Sequence, residues 1–148
     1  DSAGAETYRT NAARYLKEID AVEAQVREAV ASIPPERRKV VTSHDAFDYF
    51  SAAYGIDFHA PVGVSTKAEA SAGDIAKLIR QIKEEKIPAV FVENISDRRL
   101  LDQIVRETGA RIGGILFSDA LPKADGPAGT YLDMMRHNVR TLAAAMGV

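Results

Sequence analysis

The sequence predicts an α/β domain: a mainly parallel sheet flanked by helices and preceded by one long helix. Three observations predict it. A single amphipathic stretch of about 27 residues comes first and ends at Pro34-Pro35. After it, short β-rich runs alternate with helical stretches, the order that builds βαβ units. The run at 89–92 is continuously apolar rather than alternating, as a strand buried on both faces is, and 111–117 is expected to be another buried strand.

The first stretch, residues 6–32, carries Tyr8, Ala12, Tyr15, Leu16, Ile19, Val22, Val26 and Val30 at spacings of three and four. That spacing puts them on one helical face. At 1.5 Å per residue such a helix spans about 40 Å. Pro34-Pro35 ends it, because neither residue can donate to a helical ladder. Val40-Val41-Thr42 predicts a strand, and 45–54 a helix with Gly55 as its C-cap. A second strand is expected at 61–64. Residues 71–85 form an amphipathic helix with Ile75, Leu78, Ile79 and Ile82 inward, capped by Ser71 with Asp74 three residues on. The strand at 89–92 follows, then a helix over 97–108, the strand at 111–117 and a closing helix over 128–146.

Bulk properties narrow the function classes. The 148 residues have the length of one domain with a real core. Hydrophobic residues make up 46% and charged residues 27%. The net charge of −2 is built from interspersed signs, which gives no basic footprint for nucleic acid. With no cysteine, disulfides and thiolate metal sites are excluded. No apolar run reaches the roughly 18 residues of a membrane span, and 1–10 has no apolar signal core. The chain starts without Met, as a processed or truncated product would.

In open parallel sheets ligands bind beyond the carboxyl ends of the strands. The first strand ends at Thr42-Ser43-His44-Asp45, the central one at Glu93-Asn94, and the last at Ser118-Asp119. His44, Glu93 and Asp119 are therefore expected along one rim. An imidazole and carboxylates converging there suit a divalent metal.

Each residue also has a plain structural reading. Ser43 or Asp45 could cap the next helix, His44 could be a satisfied structural histidine, Asp119 could stabilise a turn, and Glu93 could pair with Arg98 or Arg99. His59, in a loop before Ala60-Pro61, and His137, mid-helix, have no evident ligand partners. The sequence lacks G-x-G-x-x-G, G-x-x-x-x-G-K-[ST], H-E-x-x-H and G-x-S-x-G. A hydrolase dyad of Ser43 and His44 is awkward, since adjacent side chains on extended backbone point to opposite sides.

The same residues carry a resemblance. The stretch from Arg38 through Val41-Thr42-Ser43-His44-Asp45 to Tyr49-Phe50 resembles the zinc- and manganese-specific solute-binding proteins of ABC importers. So do Ala70-Ser71-Ala72 with Asp74-Ile75, Val90-Phe91-Val92-Glu93, Gly113-Gly114-Ile115-Leu116-Phe117-Ser118-Asp119-Ala120-Leu121 and Gly129-Thr130-Tyr131-Leu132-Asp133-Met134-Met135. The likeness covers nearly the whole chain.

The resemblance implies a two-lobed protein joined by a long rigid helix, with the metal between the lobes on two side chains from each. Residues 1–35 would be the linking strut and 36–148 the C-terminal metal-binding lobe, the N-terminal lobe being absent from this chain. His44 and Asp119 would be its two ligands, with Glu93 and Ser43 supporting them from behind. The expected cargo is Zn2+, with Mn2+ possible, because an imidazole stands where a glutamate would favour manganese. A membrane permease and the other lobe are the implied partners, and nucleic acid is not one. The implied location is periplasmic, or extracellular and membrane-anchored in a Gram-positive host. Two other functions compete: a small α/β enzyme using His44, Glu93 and Asp119 for acid–base chemistry, and an adhesin-like interaction lobe.

Overall fold

A computed structural model describes residues 1–64, 70–95, 98–122 and 126–147. Helix α1 (Ala5–Ala31) leads through a 3-10 turn (Pro35–Arg37) into β1 (Lys39–Val41). Then come α2 (Asp48–Tyr54), β2 (Asp57–His59), α3 (Ala72–Glu85), β3 (Ala89–Glu93), α4 (Arg99–Thr108), β4 (Arg111–Leu116) and α5 (Tyr131–Met146). The four strands form one sheet in the order β2-β1-β3-β4, and every pairing is parallel. From β1 the chain moves out to β2, then crosses to β3 on the other side. The winding direction therefore reverses between β1 and β3, where such sheets open a crevice at their strand ends.

Alternate side chains divide the core in two. Val40, Ala89 and Phe91 face a layer built from Val22, Val26 and Val30 of α1, Phe47 beside α2, and Leu132, Val139 and Leu142 of α5. Val41, Val90 and Val92 face Leu78, Ile79 and Ile82 of α3 and Leu101 and Ile104 of α4. The period of two along each strand sends neighbours to opposite layers.

The expected parallel sheet and its helices are present, with local differences. The second strand is Asp57–His59 rather than 61–64. Its Phe58 pairs with Val40 and stacks on Phe47 at 4.7 Å, while Pro61 has no N–H for a ladder. Helix α2 starts at Asp48 rather than 45, because the N–H groups of Asp45 and Ala46 donate instead to the carbonyls of Val62 and His44. Gly55 closes it in the left-handed conformation (φ 72°). Ser71 caps α3 as expected, its hydroxyl accepting from the Asp74 N–H at 3.1 Å. The start proposed for α4 at Asp97 lies outside the described residues. Helix α5 begins at Tyr131 rather than 128, since Thr130 caps it by accepting from the Asp133 N–H.

Strand β4 is not buried on both faces. It is the sheet edge, and its Ile112 and Ile115 are 39% and 51% exposed. Helix α5 lies on its other face and demands glycine there. A Cβ on Gly113 would stand 2.6 Å from the Phe91 ring and 2.9 Å from Ala145. Gly114 combines a φ of +143° with a Cβ position 2.5 Å from Thr141. A register shift between Val90 and Phe91 accompanies these two glycines.

Helix α1 joins the core only through its second half. Residues 6–18 are exposed throughout, including Tyr8, Tyr15 and Leu16. The second half is fastened by Glu23, which accepts from the Tyr54 hydroxyl and pairs with Arg27 at 2.6 Å. Arg27 also lies over the Tyr54 ring, 5.4 Å from its centroid. Desolvation, then the Glu23 bond, pushes the Tyr54 phenol up to about 12.

Two stability predictions result. Gly113→Ala should destabilise the fold by about 1–3 kcal/mol through overpacking against Phe91, measured by chemical denaturation. The Tyr54 proton is held more tightly in the folded state than its ordinary value of 10.0, so its stabilisation is complete below pH 10 and fades as pH rises through about 12. Tyr54→Phe should flatten the stability profile across that alkaline window and cost about 1 kcal/mol at neutral pH.

Candidate metal centre

The site begins where β1 runs out. Thr42 is fully buried and donates its hydroxyl to the His44 carbonyl at 3.0 Å, turning the chain beyond the strand. Glu93, the last residue of β3, is 1% exposed. Its Oε1 accepts from the backbone N–H groups of Ser43 at 2.8 Å and His44 at 3.0 Å. Its Oε2 lies 2.9 Å from His44 Nδ1, an ion-pair separation reached off the line of a hydrogen bond. A buried carboxylate needs such compensation. Here it comes from two peptide N–H groups and one imidazole of the neighbouring strand.

His44 is itself 2% exposed. One ring nitrogen faces Glu93 in the interior, and the other, Nε2, faces outward to Asp119 Oδ2 at 3.2 Å. The Asp119 side chain is 56% exposed, so the pair marks the boundary between core and solvent. A carboxylate behind one ring nitrogen fixes ring orientation and leaves the other to meet a ligand. Beside the pair, burial pushes the Asp45 carboxyl up, and Asp48 adds to the effect.

All four residues singled out from the sequence, His44, Asp119, Glu93 and Ser43, meet at this rim. Ser43 contributes its main-chain N–H, while its hydroxyl is buried without a hydrogen-bond partner among the described residues. Neither Ser43 nor Asp45 caps α2; the cap position is Phe47, which makes no side-chain cap. Glu93 pairs with the β1 loop, whereas Arg98 pairs with Asp102. His59 ends β2 rather than lying in a loop; it pairs with Asp57 at 3.2 Å and contacts Gln81. His137 Nε2 lies 3.0 Å from the Ile115 carbonyl. Neither reaches the rim. Among the described residues, no group of three or more His, Asp or Glu side chains is arranged to hold a metal.

Two asparagines were given no role by the sequence reading, which named Asn94 only as a strand end. Asn138 of α5, 5% exposed, accepts from the Phe117 N–H at 2.9 Å and donates to the Phe117 carbonyl at 2.7 Å. Asn94 donates to the Ala120 carbonyl at 3.0 Å, and its own N–H donates to Leu116. The available signal was Asn138 beside Val139 and Leu142 on an apolar helical face. Asparagine favours bonding to nearby backbone outside helices, so its place there calls for a backbone partner.

The fold is a doubly wound parallel sheet with an imidazole and a carboxylate at its reversal point, the place where open sheets of this kind bind ligands. The family described as zinc-uptake complex component A, periplasmic (ZnuA), matches residues 1–145, and the chain belongs to that family. Among curated relatives, the zinc-binding protein TroA of Treponema pallidum is 42% identical over 137 residues, covering 89% of this chain and 44% of that protein. The iron-binding protein YfeA of Yersinia pestis is 36% identical over 147 residues, covering 99% of this chain and 47% of that protein. A solved structure of the periplasmic zinc-binding protein TroA of Treponema pallidum superposes with a TM-score of 0.95 at 37% identity, covering 99% of this chain and 55% of that one.

The chain thus spans about half the length of the curated relatives it matches. Others in the set are named metal ABC transporter substrate-binding lipoproteins. The relatives carry the names of binding proteins, which leaves the acid–base enzyme without support.

The Glu93 bridge yields a stability prediction. Glu93→Ala strands the Ser43 and His44 N–H groups and should cost about 1–3 kcal/mol in metal-free protein. Glu93→Gln keeps an acceptor for those groups and should cost less, the comparison being made by denaturant unfolding.

Proposed function

We propose that this chain is the C-terminal lobe of a protein that captures a divalent metal ion and delivers it to an ABC importer, with His44 and Asp119 as its share of the ligands. One observation carries the reading: His44 Nε2 and Asp119 Oδ2 stand 3.2 Å apart at the rim. Two ligands on one tetrahedral zinc, each about 2.0–2.2 Å from the ion, are separated by roughly 3.4 Å. The pair needs only a small adjustment to accept an ion. Glu93 fixes the imidazole from behind, and Ser43 supplies the peptide N–H that holds Glu93 in place.

Residues 1–35 form the strut in this reading, and 36–148 the lobe. The exposed apolar residues Tyr8, Tyr15 and Leu16 then pack against a preceding lobe that supplies the two remaining ligands. The half-length match to relatives supports the same division. Zinc is the favoured cargo, because imidazole suits it while harder ions take more oxygen ligands. The family description and the lipoprotein names support a periplasmic or membrane-anchored location, facing the permease.

Metal titration of the full-length protein tests the assignment. His44→Ala and Asp119→Ala should each weaken zinc binding by at least about 100-fold, since each removes a direct ligand. Undiminished zinc content in both variants would reject the site. The isolated lobe, with half a coordination sphere, should bind zinc weakly; tight one-to-one binding by a monomeric lobe would refute the shared-site arrangement.

A further inference from the structure

We propose that His137 and Asn138 of α5 clasp the open edge of the sheet and keep β4 from adding a strand of a second copy of this chain. The inference is independent of the metal site.

A sheet that does not close ends in two strands whose outward N–H and C=O groups can pair with another chain. Here those strands are β2 and β4. Strand β2 is three residues long, carries an exposed Asp57 and is soon followed by Pro61. Shortness, charge and proline all discourage pairing there. Strand β4 has six residues, Arg-Ile-Gly-Gly-Ile-Leu, and exposes Ile112 and Ile115. Its one charge is engaged elsewhere, the Arg111 guanidinium donating to the Ala145 carbonyl at 2.6 Å. By composition, β4 is the edge at risk.

Alternation along the backbone tells which groups face out. The Leu116 carbonyl accepts from the Asn94 N–H, so it faces β3. The backbone groups of 115 and 117 therefore face away from β3, toward the open side. Both positions are taken by consecutive residues of α5. His137 Nε2 lies 3.0 Å from the Ile115 carbonyl, and its ring packs on Phe117 with centroids 4.9 Å apart. The Asn138 amide accepts from the Phe117 N–H at 2.9 Å and donates to the Phe117 carbonyl at 2.7 Å. A residue on an added antiparallel strand would exchange that same pair of bonds with Phe117. Upstream, the register passes from Ile112 to Gly114 and skips Gly113, which breaks regular pairing in the first half of β4. Irregular register and clasp together leave little regular edge for an added strand. Without the clasp, free groups at 115 and 117 would stand beside two exposed isoleucines, the combination that promotes edge-to-edge association.

The test follows self-association of full-length protein by sedimentation velocity over a concentration series, with the melting temperature of each variant. His137→Ala frees one carbonyl, and Asn138→Leu frees both Phe117 groups while keeping bulk in the core. Each freed bond should raise the self-association constant roughly 2- to 10-fold over the parent. Adding Ile115→Lys should return both variants to the parent's behaviour, because a charge on the edge opposes pairing. Leu142→Ala, at a buried apolar position on the same helix, is the control for lost stability and should leave association unchanged. Unchanged association in His137→Ala and Asn138→Leu would overturn the clasp. So would an increase that Leu142→Ala reproduces at a similar melting temperature, or one that Ile115→Lys does not relieve. Should Asn138→Leu fail to fold, His137→Ala with and without Ile115→Lys decides the question alone.

Discussion

The buried Glu93 carboxylate is the constraint on which the rim depends. It sits at the last residue of the central strand, where the winding of the sheet reverses, and reaches across to the strand on the far side of the reversal. One of its oxygens accepts from two peptide N–H groups of the β1 loop, and the other lies 2.9 Å from the imidazole of that loop. A carboxylate taken out of water is costly unless it is compensated in this way. The β1 loop cannot move away without stranding it, so satisfying a buried charge and aiming His44 outward are one event.

The sheet edges and helices serve that arrangement unequally. On one layer, α5 presses close enough to β4 that glycine is required at 113 and 114, and the same helix contributes Asn138 to the loop beyond the strand. Packing of α5 thus constrains β4 and holds the backbone of Phe117, two residues before Asp119. Helix α1 is attached through Val22, Val26, Val30 and the Glu23–Tyr54–Arg27 cluster, which ties it to the helix following the His44 loop. Its first half is exposed, Tyr8, Tyr15 and Leu16 included.

Much of this was legible in the residues. Periodicity located α1 and α3, a continuous apolar run located β3, the stretch 111–117 located β4, and the rule that ligands gather at strand ends picked out His44, Glu93 and Asp119. The errors have local causes. Phe58, partnered by Phe47 and Phe50, drew β2 to 57–59, a choice that depends on rings at and within the helix before it. The apolar run of β4 looked like an interior strand, but apolarity says nothing of position across the sheet, and β4 is the edge. Thr130 with Asp133 was a readable cap and placed the start of α5 later than the apolar pattern suggested.

By itself the sequence determined the alternation of elements and the membership of the rim, because hydrophobic period and strand ends are properties of consecutive residues. Only the tertiary structure decided which way each rim side chain faces and what holds it there. Glu93 could have met Arg98 nearby; it meets instead the backbone of a strand 49 and 50 residues away. Asn138, ordinary in sequence, becomes the anchor for a loop 21 residues earlier. Contacts of that separation are settled by which strands lie side by side and by the need to satisfy every buried polar group, and neither is written in the local pattern.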